Sequence, residues 1–195
     1  MGMRAQGTRG FTLTELTIVL LIGVLFFIMI SALKGNYRAL DSLAYSVRSM
    51  FYTARLRAIS TGRGQGIFFC ADGVISLYDS AGAYSVTRKN IDQGANKLVY
   101  RIAIAAFADL EYGFTGVGAN DPTDPDLNIP DTDKPIKMGH GGIMNIKPWG
   151  GVTNGSVYIR DSRGEYMLCL RTAFAYTRFF AYIHNPYSGR WRRLF

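Results

Sequence analysis

Apolar and polar positions follow three different patterns along this chain of 195 residues. From Leu16 to Leu33 no side chain is ionisable, and these 18 residues would rise about 27 Å as an α-helix, close to the thickness of a bilayer core. From Leu40 to Ala58 apolar residues recur at spacings of three and four, which predicts an amphipathic helix that stops at Gly62. After Gly64 the pattern becomes that of β-strands.

The two helical patterns predict one continuous helix from Thr12 to about Ser60. Such a helix would be roughly 75 Å long, with its first half in a membrane and its second half packed under a globular head. The alternative is two helices with a break at Lys34-Gly35-Asn36, since glycine and asparagine are weak helix formers. We favour the continuous helix, with locally weaker helical structure at these three residues.

The remainder of the chain predicts a head of antiparallel β-strands, because β-branched and aromatic residues recur between turns rich in glycine, asparagine and aspartate. The chain is long enough for one such domain plus an anchor, and too short for two large domains. The predicted strands have the sequences QGIFFC, GVISLYD, AYSVTRK, KLVYRIAI, GGIMNIK, GSVYIRD, EYMLCLR and TRFFAYI.

The charge before the apolar run predicts how the chain is oriented. Arg4 and Arg9 precede the run, and the positive-inside tendency then leaves the N-terminus in the cytoplasm and the head outside. A signal peptide cut at Ala32 or Ala39 is the alternative, but the run is longer than the roughly 7–15 apolar residues of a signal peptide. We therefore expect the anchor to be retained.

The chain contains two cysteines, Cys70 and Cys169. Because the head is predicted to lie outside the cytosol, a disulfide between them is expected. Two buried thiols are the alternative.

A carboxylate stands near the head of the apolar run, where an unpaired charge in hydrocarbon would cost several kcal/mol. This residue, Glu15, follows a basic leader ending in Gly10, then Phe11, the hydroxyl of Thr12, and Leu13. The five features in one register resemble the N-terminus of a type IV prepilin. Pilins of this family often carry a proline within the apolar helix, where this chain has Ala32.

The resemblance implies a function for three of these residues. A membrane-embedded prepilin peptidase would cut between Gly10 and Phe11 and methylate the new amino terminus of Phe11. The ammonium group of Phe11 in a neighbouring subunit would then form an assembly salt bridge with Glu15, because such pairs are strong in a low-dielectric environment. The alternative is that Glu15 lies in the lipid headgroup layer of a plain anchor.

Within this class, two stretches are similar to the GspH/FimT branch of minor pilins and pseudopilins. They are FYTARLRAISTGRGQGIFFC and the C-terminal sequence from GSVYIRD to GRWRR. The implied fold class is α+β, with a long N-terminal α-helix, membrane-spanning in its first half, packed against a β-rich antiparallel head. The implied divisions are a leader at 1–10, the transmembrane and assembly helix at 11–62 and the head at 63–195.

A polar insertion from Asp109 to Lys137 holds seven of the fourteen acidic residues of the chain. Asp124, Asp126 and Asn128 match the first ligands of a calcium loop, but Ile129 stands where such a loop needs glycine. We therefore predict a long acidic loop at 109–137 and no cofactor, with a looser calcium site as the weaker alternative.

The end of the chain is basic. Arg190, Arg192 and Arg193 flank Trp191, and arginines interleaved with an aromatic ring suit contacts to phosphates and stacking on bases. DNA-uptake pilins of the FimT kind use such a region for DNA. A solvated basic face is the alternative.

No catalytic motif is present, since His140 and His184 are far apart and no metal-ligand or phosphate-loop spacing occurs. We predict no enzyme but a minor pilin or pseudopilin that assembles into, primes or caps a type IV pilus or a secretion pseudopilus. Its partners would be other pilins, prepilin peptidase and the bacterial inner membrane, followed by a periplasmic or extracellular filament. The alternatives are a DNA-binding minor pilin and an ordinary single-span membrane protein with a β-rich outer domain.

Overall fold

The computed structural model describes residues 12–82, 84–107, 109–114, 120–122, 124–128, 134–173, 178–185 and 188–195. The chain divides into two compact units, Met1–Gly35 and Asn36–Phe195, and the boundary in the sequence falls within Lys34-Gly35-Asn36.

The helices precede most of the strands. Helix α1 spans Leu13–Thr61, helix α2 spans Arg88–Asp92, and a short 3-10 helix covers Ile104–Phe107. The strands are β1 (Gln65–Cys70), β2 (Val74–Asp79), β3 (Lys97–Ala103), β4 (Leu110–Tyr112), β5 (Asn120–Asp121), β6 (Asp124–Asn128), β7 (Ile136–Met138), β8 (Ile143–Ile146), β9 (Gly155–Asp161), β10 (Met167–Ala173), β11 (Arg178–Asn185) and β12 (Arg190–Arg193).

Two antiparallel sheets contain most of the described strands of the second unit. The first sheet has the order β3-β2-β1-β8, and the second has the order β12-β11-β10-β9-β4, with β7 also paired to β9. Strands β4 and β7 lie near the two ends of the polar insertion. Both pair with β9, so both ends of the insertion are held by the same strand. Strands β5 and β6 form a separate two-stranded ribbon.

The core of the second unit lies between α1 and the inner faces of both sheets. The apolar face predicted from Leu40 to Ala58 is buried, and its residues share one hydrophobic cluster with residues of β1, β2, β9, β10 and β11. The helix ends where the sequence predicted, because Gly62 has a φ of 65°, which glycine adopts without the clash of a side chain.

An ion pair joins the end of α1 to the first sheet. The Nη2 atom of Arg57 lies 2.6 Å from Oδ2 of Asp79, and its Nε atom donates to Oδ1 of the same carboxylate at 3.3 Å. Asp79 is the last residue of β2, so this two-point contact helps to fix the helix against the edge of that strand.

The predicted strand AYSVTRK is wrong. Within it, Thr87 is the N-cap of α2, and its hydroxyl accepts a hydrogen bond from the backbone N–H of Asn90. A threonine that bonds the first turn of a helix ends an extended segment, and this local preference outweighed the β-branched pattern around it.

The predicted fold class is also corrected. Most of the described strands pair in two antiparallel sheets, and among the described residues no helix has the length and hydropathy needed to cross a membrane. The predicted transmembrane helix, the prepilin leader tied to it, the pilin fold and the single-pass inner-membrane location are therefore contradicted.

Candidate functional site

In the first turn of α1, the Glu15 carboxylate has hydrogen-bond partners within its own chain. The Oε2 atom of Glu15 accepts hydrogen bonds from the backbone N–H and from the hydroxyl of Thr12, both at 2.8 Å. In return the Thr12 hydroxyl accepts from the backbone N–H of Glu15 at 3.3 Å. This reciprocal pair is a capping box, which satisfies backbone donors that a helix start leaves without partners.

The same contacts perturb the titration of Glu15. The hydrogen bond from the Thr12 backbone, and then the one from its hydroxyl, lower the pKa of the Glu15 carboxyl because both stabilise its charged form. The carboxylate therefore stays ionised at the positive end of the helix dipole. The sequence carried this signal, since a threonine followed three residues later by glutamate is the pattern of a capping box.

The predicted cleavage and methylation residues, Gly10 and Phe11, lie outside the described residues. The salt bridge between Glu15 and a neighbouring amine involves a second subunit, so it stays a prediction. In this structure the partner of Glu15 is Thr12 of its own chain.

Helix α1 exposes large apolar side chains from Leu13 to Met29. Leu13 is 84% exposed and Phe27 is 73% exposed, and eleven more large apolar residues up to Met29 expose half or more of their surface. Six of the seven positions from Leu16 to Ile22 belong to this set, so the exposed apolar surface surrounds the helix rather than forming one stripe.

The predicted disulfide is not formed, because Cys70 and Cys169 are both thiols. Side chains alternate across a strand, so Phe69 and Leu168 face the main core while each neighbouring cysteine faces away from it. Cys70 packs on the outer face of the first sheet, and Cys169 is buried in a cluster on the outer face of the second. Residues on opposite outer faces cannot meet the short distance that a disulfide requires.

The predicted DNA-binding residues form strand β12 at the edge of the second sheet. Arg190, Arg192 and Arg193 are exposed, whereas Trp191 is half-buried, with its ring centroid 5.1 Å from that of His184. The structure therefore brings the three arginines to one edge strand. Only part of the Trp191 ring is exposed to a base.

The two histidines lie in different surroundings. His140 is exposed in a turn, whereas His184 is 5% exposed in β11. Burial lowers the pKa of His184, and a hydrogen bond with the Gly189 backbone opposes this shift only in part. A neutral, buried His184 under Trp191 suits packing, and the absence of enzymatic activity stays a prediction.

The weaker calcium prediction falls largely on residues whose side chains the structure does not describe. The side chains of Asp121, Asp124, Asp126, Asp131 and Asp133 lie outside the described residues. The calcium site in the acidic insertion therefore stays a prediction.

No known protein family, curated protein or solved structure matches this chain. Its function is therefore inferred from its own residues.

Proposed function

We propose that this protein is a subunit of a filament, of the minor pilin or pseudopilin kind, and that it assembles through residues 13–29 of helix α1. The observation that carries the proposal is the apolar surface around this part of the helix. Thirteen large apolar side chains from Leu13 to Met29 expose between 50% and 84% of their surface.

Exposed apolar surface on this scale favours association. Covering apolar area is worth about 25 cal/mol per Å² removed from water, and a contiguous exposed patch marks an interaction surface. Because the apolar residues surround the helix, one neighbour cannot cover them all. Several helices around a common axis, as in the core of a filament, bury the whole circumference.

The capping box supports the same proposal from the helix start. Thr12 holds the Glu15 carboxylate in its charged form and fixes its position. One carboxylate at a fixed place on an otherwise apolar helix restricts how neighbouring helices pack in register, because a buried charge needs a cationic or hydrogen-bonding partner. We assign that partner to a cationic group of an adjacent subunit.

Site-specific photo-crosslinking tests the proposal. A photoreactive residue replacing Leu20 or Phe26 should crosslink the chain to filament subunits in cells that make it, while one replacing exposed Arg101 on β3 serves as the control. Crosslinks from both helix positions to subunits of a sheared filament are expected. Absence of the chain from that filament, with no subunit crosslinked at either position, would refute assembly through this helix.

DNA binding is the second candidate function, and exposed arginines on an edge strand favour it. Arg190, Arg192 and Arg193 present three cations along β12. If all three contact phosphates, duplex DNA should bind without sequence preference, and the logarithm of its affinity should fall with the logarithm of salt concentration by about 0.9 per contact.

The salt dependence of binding separates a DNA interface from a solvated basic face. Changing the three arginines to alanine should flatten the slope by up to roughly three. A matched variant that removes three exposed cations elsewhere, Arg63, Lys97 and Arg101, should leave the slope close to that of the wild type. Equal slopes for all three proteins would eliminate DNA binding by β12.

A further inference from the structure

A cavity of about 500 Å³ lies in the second unit, between helix α1 and the strands β11 and β12. It has the size of a small-molecule site. Among the described residues, its lining consists of arginine and aromatic side chains: Arg48, Tyr52, Arg55, Arg178, Phe179, Phe180, Arg193 and Phe195. We call this cavity the four-arginine pocket.

The helix contributes one wall of the four-arginine pocket. Arg48, Tyr52 and Arg55 are spaced by four and three residues, so they lie on one side of the helix. The two helix arginines are half-buried, whereas Tyr52 exposes 45% of its surface. This wall therefore presents two partly desolvated cations and an accessible phenol ring, with the guanidinium carbon of Arg48 5.6 Å from the centroid of that ring.

The second sheet contributes the opposite wall. Arg178 begins β11, Arg193 ends β12, and both are exposed at the rim. Behind them the rings of Phe179 and Phe195 stack with their centroids 6.1 Å apart. The floor of the pocket is therefore aromatic and its rim is cationic.

Two of the guanidinium groups are held in place by rings. The guanidinium carbon of Arg48 lies 4.3 Å from the centroid of Phe195, and that of Arg193 lies 4.7 Å from the centroid of Phe180. Such stacking uses the face of the guanidinium plane, so the N–H groups at its edge remain able to bind an oxyanion by two parallel hydrogen bonds. The Nε–H of Arg193 donates to a main-chain oxygen of Phe195 at 3.1 Å.

The charge of the four-arginine pocket favours an anionic ligand. No aspartate or glutamate side chain is among its described lining residues. Four cations around one cavity repel one another, and an anion with several charged oxygens removes that cost.

We propose that the four-arginine pocket binds a nucleoside diphosphate or triphosphate. The guanidinium groups match the phosphate oxygens in charge and geometry. The accessible ring of Tyr52 provides a surface for the base, since bases stack on aromatic side chains. The cavity is larger than one phosphate group fills, which favours an anion with several phosphates and an attached ring system. This site is independent of filament assembly.

Calorimetric titration of the full-length chain, kept dispersed in a non-ionic detergent, tests the proposal with four probes: ATP, ADP, pyrophosphate and inorganic phosphate. ATP and ADP should bind, pyrophosphate should bind more weakly, and phosphate weakest. The variant Tyr52→Leu should lose affinity for the nucleotides and keep that for pyrophosphate.

Charge variants separate the pocket from the general basicity of the protein. Arg48→Gln with Arg178→Gln should weaken ATP binding by about tenfold or more, because each lost charge-assisted hydrogen bond weakens binding strongly. Arg63→Gln with Arg101→Gln removes the same charge from exposed positions outside the pocket and should change ATP binding less than twofold. Arg48→Lys keeps the charge, and it should weaken binding by losing the two-point contact.

Three results would overturn the proposal. Equal losses in the pocket variant and the matched control would show diffuse attraction rather than a site. Phosphate or pyrophosphate binding as tightly as ATP would exclude recognition of the nucleoside. Binding of duplex DNA without binding of ATP or ADP would make the four arginines part of a nucleic-acid surface instead.

Discussion

Thr12 and Glu15 bond to each other reciprocally at the start of helix α1, through the side chain and the backbone of both residues. Through this pair, the carboxylate that precedes the apolar run caps the start of the helix. In the proposed filament the same carboxylate has a second role at the subunit contact. Variants of the two residues separate these roles.

Loss of the cap and loss of the carboxylate should have different effects on assembly. Thr12→Ala removes the hydroxyl and keeps the charge, whereas Glu15→Ala removes both the charge and its half of the cap. Each variant removes part of the capping box, so both should reduce helix content, measured by circular dichroism. Only Glu15→Ala should strongly reduce the fraction of chain recovered in sheared filaments. Equal recovery of both variants would leave Glu15 as a cap alone.

Stability in acid should depend on the ion pair between Arg57 and Asp79. Burial raises the pKa of Asp79, but the hydrogen bonds with Arg57 and Gln65 and the charges of Arg57 and Lys97 together outweigh it and lower the pKa below its usual value. A carboxyl whose pKa is lower in the folded state contributes stability above its unfolded pKa of about 3.9. That contribution is lost as the pH falls through the folded pKa.

Arg57→Gln should therefore lower the melting temperature at pH 7, by an amount equivalent to about 1 kcal/mol, since the pair is partly exposed. The difference from the wild type should shrink as the pH drops below 3. Arg88→Gln is the matched control, because its pair with Asp92 is more than half exposed and lies within one short helix. An Arg57→Gln difference that persists unchanged at pH 2 would mean that packing, not charge, links these residues.

The thiols of the two cysteines should react with a thiol reagent at different rates. Cys70 is partly exposed and Cys169 is fully buried, so a thiol reagent should modify Cys70 in the native protein and Cys169 only when the chain unfolds. Mass spectrometry after brief labelling would show one modification, and labelling in denaturant without a reductant would show two. If the denatured chain carries no reactive thiol, the two cysteines form a disulfide and this prediction is wrong.

Gly66 should not tolerate a side chain. A Cβ atom built there would lie 2.5 Å from the Cβ of Val86, which is held over the strand by a hydrogen bond of 2.7 Å from its backbone N–H to Oδ1 of Asn145. Gly66→Ala should destabilise the protein by about 1–3 kcal/mol in chemical denaturation, since overpacking forces neighbours apart.

A double-mutant cycle checks the origin of that loss. With Val86→Gly in the background, Gly66→Ala should cost clearly less, because the clashing side chain is gone. Additive effects of the two changes would place the strain elsewhere.

Local patterns in the sequence determined where helix α1 and seven of the described strands lie. Spacings of three and four from Leu40 to Ala58 predicted the buried face of α1, and Gly62 predicted its end. The spacing of Thr12 and Glu15 also matches the sequence pattern of a capping box. Each of these features depends on residues a few positions apart, so backbone geometry and side-chain chemistry fix them before the chain folds.

Only the tertiary structure decided which strands share a sheet and which side chains share a cavity. Sheet membership placed Cys70 and Cys169 on opposite outer faces, although the sequence suggested a disulfide. It also gathered Arg48 and Arg178, 130 positions apart, around one pocket. Contacts of this kind follow from how the apolar faces of the helix and both sheets pack together, and local periodicity carries no information on which faces meet.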